Sequence, residues 1–313
     1  MPTAELPSSL TPSPSRACLS QVTPPGYHVD VAGRSHPGKL RARNEDHFGV
    51  MRVSRRLEMV QTNLPRGEVP LHFEEYGYVL VIADGMGGMA AGQQASRLAL
   101  RTGIEVVLES SRWSFRIDEN EARELKERLR GYFRKVDQAL IDCANTSSDL
   151  AGMGTTLTAV YTIGRDAFIV HAGDSRAYLF RNGALRRLTR DHTFAQELAD
   201  AGRIAPEEVA THARRHVLTN FAGGPRRGIE PEVTVIRLCS GDSLLVCTDG
   251  LTEMVDDATI ARILKGNAGA VDACEALVDA ALAGGGKDNV TVIVANYTIP
   301  GDQLDATVEI RRP

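Results

Sequence analysis

The stretch VLVIADGMGG, Val79 to Gly88, runs from a strongly apolar segment straight into an aspartate set among glycines. The same figure returns as LLVCTDGLTE, Leu244 to Glu253. Asp-Gly between two alternating strands is the strongest short hairpin signal there is. Here a helical pattern follows both Asp84-Gly85 and Asp249-Gly250. A strand that stops at Asp-Gly before a helix leaves its carboxylate on the sheet rim, facing whatever cleft lies there.

Outward from these two strands, the chain sorts into strand clusters and helix pairs. In AAGQQASRLALRTGIEVVLE, the residues Ala95, Leu98, Ala99, Thr102 and Val106 recur at helical spacing. In ENEARELKERLRGYFRKVDQALIDCAN the stripe is Ala122, Leu125, Leu129, Tyr132, Val136 and Leu140, with charge on the other face. A second helical pair is expected near 257–264 and 270–283. Between them TTLTAVYTI, DAFIVHAG and SRAYLFRNG are β-rich and joined by turns at Gly164–Arg165 and Gly173–Asp174. Connections that short predict antiparallel strands, and the whole reads as α+β. Residues 192–225 interrupt the strands as a small inserted helical flap, with Gly202 stopping one helix and Pro206 opening another.

The chain has 313 residues and a formal charge of −4. That size supports a sizeable core, and that charge supplies no basic field for nucleic acid or membrane. Residues 1–27 are rich in Pro and Ser and are expected to be a disordered tail. A globular region is expected over 28–297, and 298–313 as a tail with an edge strand at 306–311. The N-terminus has no signal-peptide pattern. Cys18, Cys143, Cys239, Cys247 and Cys274 are scattered, as expected of reduced thiols in a cytoplasmic protein. The segment 52–77 reads either as an extended hairpin or as a surface insertion, the insertion being preferred.

Other acids share the rim position. Asn44, Glu45 and Asp46 precede one apolar strand, and Asp288-Asn289 precede another. Glu45, Asp46, Asp84, Asp249 and Asp288 therefore all fall at strand ends. Clustered carboxylates repel one another and raise each other's pKa unless a cation joins them. Oxygen-only donors suit Mg²⁺ or Mn²⁺ rather than zinc. The glycine after Asp84 lets backbone approach closely, so the Gly85 carbonyl is a further candidate ligand.

RARNED (41–46), ADGMGG (83–88), GMGTTLTAV (152–160), HAGDSRAYLFRNG (171–183), DHTFAQELADAGRI (191–204), CTDGLTE (247–253) and GGKDNVTVIV (285–294) stand in a telling order. It is the order found in the PP2C-type, metal-dependent Ser/Thr protein phosphatases, and over about 28–297 the chain resembles their bacterial branch. The resemblance implies a four-layer α/β/β/α sandwich, two antiparallel sheets flanked by helical pairs. It implies two Mn²⁺ or Mg²⁺ ions bridged by Asp84, one completed by Asp249 and Asp288, the other by the Gly85 carbonyl and Glu45 through water. Asp46 then orients water, Arg41 grips the phosphoryl group, and Asp149, aided by Glu253, holds a weaker third ion. A hydroxide made from the bridging water would attack phosphorus in line. The implied partners are a phosphorylated protein and a cognate Ser/Thr kinase, with the enzyme acting as a monomer.

Two departures stand out. Met86 occupies the position where eukaryotic members carry a histidine proposed as general acid, as it does in the bacterial branch. Asn220-Phe221-Ala222-Gly223 replaces the usual end of the flap. On residue type alone, Arg43 reads as a solvated charge, Asp174 with Arg176 as a hairpin ion pair, Thr155 and Thr156 as strand formers, and His171 as a core histidine. His192, His212 and His216 read as surface or capping residues. The competing functions are a phosphoprotein-binding pseudophosphatase and a phosphatase of small phosphoesters.

Overall fold

Both strands are apolar in the run that leads to Asp-Gly, Val79–Ala83 and Leu244–Cys247, because there each is covered on both faces. In β3 (His72–Met86), Leu80 and Ile82 point into one core while Val81 and Ala83 point into another. In β10 (Ser243–Cys247), Leu244 and Val246 alternate in the same way with Leu245 and Cys247. The computed structural model describes residues 27–299 except 66, 88–90, 111–117 and 225–227. The expected tail over 1–26 and the edge strand at 306–311 lie outside these residues. Tyr27, the last residue assigned to that tail, is instead a core residue, its ring against Tyr76.

Two antiparallel sheets stack face to face. The first has the order β1 (His28–His36), β11 (Val290–Thr298), β10, β7 (Arg176–Arg181), β8 (Ala184–Arg187). The second runs β2 (Asp46–Glu58), β3, β5 (Leu157–Ile163), β6 (Asp166–Ala172), β9 (Glu232–Arg237), with the short β4 (Gly154–Thr155) paired to β3. A core of Leu80, Ile82, Val160, Ile169, Leu179, Leu244, Val246 and Ile293 fills the space between them. Helices α1 (Ala91–Glu109) and α2 (Glu119–Ala144) cover the second sheet through Ala95, Ala99, Phe133, Val136 and Leu140. Helices α5 (Asp257–Gly266) and α6 (Ala270–Ala283) cover the first through Ile260, Cys274, Leu277 and Val278. The result is the expected four-layer α/β/β/α sandwich.

Local chemistry sets the helix ends. Asp118 accepts from the N–H groups of Asn120 and Glu121, and Glu121 returns a bond to the Asp118 N–H, a capping box that starts α2. In the inserted segment Thr193 caps α3 (Phe194–Asp200), but Pro206–Thr211 forms a 3-10 turn rather than a second α-helix.

Two expectations need correction. The 52–77 segment is an extended hairpin: the β2–β3 ladder continues to Glu58 opposite His72. And the Gly173–Asp174 turn does not join antiparallel neighbours. β6 pairs with β5 and β9, whereas β7 pairs with β10 and β8 in the other sheet. The chain turns a corner between layers there, and Gly173 takes φ +122, a conformation side chains disfavour. An added Cβ at Gly173 would also sit 2.5 Å from Cβ of Thr156.

Candidate metal centre at the sheet rim

The rim acids converge because strand register brings them together. Asp46 opens β2 and Asp84 lies near the end of β3, and the two are direct cross-strand partners. Asp249 follows β10 and begins the short helix α4 (Asp249–Thr252), while Asp288 precedes β11, the neighbour of β10. One pair thus comes from each sheet at the same end of the sandwich. Asp46 ties the layers together, since its Oδ2 accepts from the Thr248 hydroxyl at 3.0 Å and the Thr291 hydroxyl at 2.7 Å, both from the opposite sheet.

The electrostatics mark strain of a particular kind. Burial, then Asp46, Asp249, Asp174 and Asp288 in turn, push the Asp84 carboxyl well above the usual carboxylate range. Burial, Asp174 and Asp288 do the same to Asp249. Asp46 is pushed up to about 6, chiefly by burial. Burial also raises Glu45. Arg41 donates to Asp288 Oδ2 at 2.7 Å and so stands at the edge of the cluster, exposed to an incoming anion. Arg43 is exposed, and its carbonyl accepts from the Asn289 side chain at 2.8 Å.

The donor set fits a hard cation on three observations. All the candidate side-chain donors are carboxylate oxygens. Asp46 Oδ1 is buried and meets no donor among the described residues, which is costly for a carboxylate with nothing to bind. Backbone is also drawn in close. A Cβ on Gly85 would fall 2.0 Å from the Gly92 carbonyl oxygen, and a Cβ on Gly92 would fall 2.6 Å from Glu45 Oε2. These two glycines let the start of α1 press against the Glu45 carboxylate and the Gly85 carbonyl. Gly92→Ala is therefore expected to raise the Mn²⁺ concentration needed for half-saturation by about tenfold, about 1.4 kcal/mol per site. Helix content should not fall, because Ala is the better helix former. Calorimetric titration and circular dichroism together check this.

Several residues missed by type alone prove to belong here. Asp174 is no hairpin partner of Arg176: it faces the acids, and burial and Asp191 push it up to about 7. Arg176 instead makes a two-pronged pair with Asp191, at 3.2 and 2.8 Å, and Asp191 also binds Arg187. Thr155 and Thr156 brace Asp84, the Thr155 hydroxyl donating to the Asp84 carbonyl at 2.8 Å and the Asp84 N–H donating to Thr156 Oγ1 at 3.1 Å. His171 is a packed core histidine. Its Nε2 donates to the Arg190 carbonyl, and burial lowers its pKa to about 3. His192 is stacked on it at 4.8 Å and accepts the Gly173 N–H at 3.1 Å, so it is a staple rather than a surface group. Asp149 sits exposed in a 3-10 turn, Ser148–Leu150, and no described hydrogen bond or ion pair joins it to the cluster. The inserted segment closes back through Ala222, which exchanges two 2.9 Å backbone bonds with Thr155.

The protein phosphatase 2C family model matches residues 70–284. The chain belongs to this family. Among its relatives, the serine/threonine protein phosphatase PstP of Mycobacterium tuberculosis is 38% identical over 235 residues, which cover 74% of this chain and 43% of PstP. The chain thus spans less than half the length of that relative. The serine/threonine phosphatase stp of Listeria monocytogenes is 32% identical over 274 residues, covering 88% of this chain and 98% of that protein. Among solved structures, the PstP catalytic domain in complex with two manganese ions has a TM-score of 0.67 and 33% identity, covering 87% of this chain and 99% of that one. Stp1 from Staphylococcus aureus has a TM-score of 0.71 at 30% identity, covering 88% and 98% respectively. The two antiparallel sheets with flanking helices match these solved structures.

Proposed function

We propose that this protein hydrolyses phosphoserine and phosphothreonine in proteins, with two Mn²⁺ or Mg²⁺ ions held at the sheet rim. The observation that carries the reading is the convergence of Asp46, Asp84, Asp249 and Asp288, all mutually repelling, around an orphaned buried oxygen. In this reading Asp84 would serve both ions, Asp249 and Asp288 would hold one, and Glu45 with the Gly85 carbonyl would hold the other. When bound, the ions supply an activated water and screen charge on the phosphoryl oxygens.

The chain's own groups do the rest. Arg41, which donates to Asp288 at the cluster's exposed edge, would present a planar guanidinium to two phosphoryl oxygens. Asp46 is held by Thr248 and Thr291 with one oxygen free to orient water. Asp149 as holder of a third ion stays in the proposal with no contact on its side. The phosphoproteins would be the products of a Ser/Thr kinase in the same compartment. The free Cys143, Cys239, Cys247 and Cys274 favour the cytoplasm. Among the described residues no helix is long and apolar enough to cross a membrane. A site assembled from one chain supports a monomer.

Phosphate release from a phosphothreonine peptide with Mn²⁺ tests the reading. Turnover that vanishes in chelator is expected. Equal rates in chelator, or none at any metal concentration, would overturn it, and faster hydrolysis of small metabolites would reassign the substrate.

A further inference from the structure

Helices α1 and α2 leave a cavity of about 100 Å³ between themselves and the second sheet, and none of the rim acids lines it. Most of its wall is aliphatic, with Met51, Val81, Val136, Leu157 and Val170 facing the space. A cavity lined in this way stays dry, and an engineered one of about 150 Å³ takes up benzene or xenon. Tyr161, also in the wall, has its phenol pushed up to about 12, chiefly by burial.

The space owes part of its existence to Gly103. This residue lies in the interior of α1, where glycine is the poorest helix former after proline. No close approach demands it. Among the described residues, a Cβ built there would meet only Val136 Cγ2, at 3.9 Å, an ordinary contact distance. The missing side chain therefore leaves room instead of permitting contact. Toward the C-terminal end of α1 the lining turns polar. Arg128 and Tyr132 are four residues apart on α2 and share its inner face. The Tyr132 hydroxyl donates to Ser110 Oγ at 2.7 Å, and both Arg128 and Tyr132 act on the Tyr161 phenol, so these groups gather at one end. Arg128 is the one charged side chain among the described residues of the wall.

We propose that this cavity binds a medium-chain alkyl carboxylate, its tail toward Gly103 and Val136 and its carboxylate at Arg128. Allowing about 15 Å³ of such volume for each group the size of a water or a methylene, the space holds about seven of them, the tail of octanoate. Removal of that tail from water supplies the affinity. The headgroup follows from charge, since a guanidinium pairs with a carboxylate in a planar, two-pronged way, and Ser110 and Tyr132 place hydroxyls beside it. A cationic head would meet Arg128 instead of a partner. The site shares no residue with the rim acids, so it goes beyond the proposed phosphatase reading and does not depend on it.

The test is titration of octanoate into the full chain in chelator, followed calorimetrically and by methyl chemical shifts. Chelator keeps the result separate from the fate of the dinuclear reading. One equivalent is expected to bind, with shifts concentrated on Leu129, Val136, Leu157 and Val170. Gly103→Leu, which fills the space, is expected to weaken octanoate by about tenfold or more and to raise the thermal midpoint. Arg128→Gln is expected to weaken octanoate by about tenfold while leaving neutral 1-octanol unchanged, a split that loosened helix packing alone does not produce. Absence of saturable binding, or shifts scattered over the surface, would overturn the site, as would a Gly103→Leu protein that binds octanoate as tightly as wild type. An Arg128→Gln protein that treats octanoate and 1-octanol alike would overturn the placement of the carboxylate. Binding gained only in Trp113→Ala would mean that residues 111–117 of the chain itself take the space, and would overturn the ligand site.

Discussion

Asp84→Asn is expected to lower turnover on a phosphopeptide by about 10³-fold, about 4 kcal/mol of barrier, while making the metal-free protein more stable. The two effects have one cause. Asp84 lies where Asp46, Asp174, Asp249 and Asp288 all act on it, and each of them raises its pKa. With two cations that crowding is a ligand set; without them it is repulsion. An amide keeps the shape and removes the charge. The backbone bonds to Thr155 and Thr156 are untouched, since they use the Asp84 carbonyl and N–H. Relief of a buried like-charge cluster is expected to add about 2 kcal/mol in chelator. Denaturant midpoints in chelator and initial rates in Mn²⁺ measure both halves. A variant within tenfold of wild-type turnover, or one less stable without metal, would remove Asp84 from the bridging position.

Much of this arrangement is legible in the chain because the strands that carry it are covered on both faces. A run such as Val79–Ala83 or Leu244–Cys247 has no polar position to spare, so a carboxylate at its end stands out. The helices were equally plain, since the residues of α1 and α2 that face the sheet repeat at helical spacing. What escaped was long-range. Gly173-Asp174 has the local chemistry of a hairpin, and only the pairing of β7 with β10 makes it a corner between sheets that turns Asp174 toward the acids. Arg176 looked paired with its sequence neighbour; its real partner, Asp191, is brought alongside by the next hairpin. His216 sits in a polar, exposed run with no periodicity, and its nearness to Glu253 exists only once the inserted segment folds over α4. Thr155 and Thr156 have the β-propensity of any strand residue, and only the folded register shows their hydroxyls and backbone holding Asp84 in place.

The pH dependence of stability offers a second reading of the same charges, and its sign can be worked out for Asp46. Its carboxyl is raised from 3.8 to about 6 in the folded protein, mainly by burial. Between those values the folded state binds more protons than the unfolded chain, so this residue lowers stability as pH rises through that window. Below about 4 the penalty is absent, and above about 6 it is complete, on the order of 3 kcal/mol. Buried His171 works the other way, its pKa being lowered from 6.5 to about 3, so it raises stability with pH over an overlapping range. A plain stability curve therefore mixes opposing slopes. The difference between Asp46→Asn and wild type removes the His171 slope, which is common to both, and leaves the Asp46 carboxyl together with its push on Asp84 and Asp249. In chelator, urea midpoints of the two proteins should coincide near pH 4 and separate as pH rises to about 6.5, with the variant the more stable. The Asn side chain can still accept from Thr248 and Thr291 and can turn its amide donor toward the neighbouring acids. Saturating Mn²⁺ should close or reverse the gap at pH 7, since the ion stabilises the ionised wild-type cluster, by about 2.7 kcal/mol at a hundred times its dissociation constant. A gap independent of pH, or one that Mn²⁺ leaves unaltered, would mean that Asp46 is held by its two threonines alone and takes no part in a charged site.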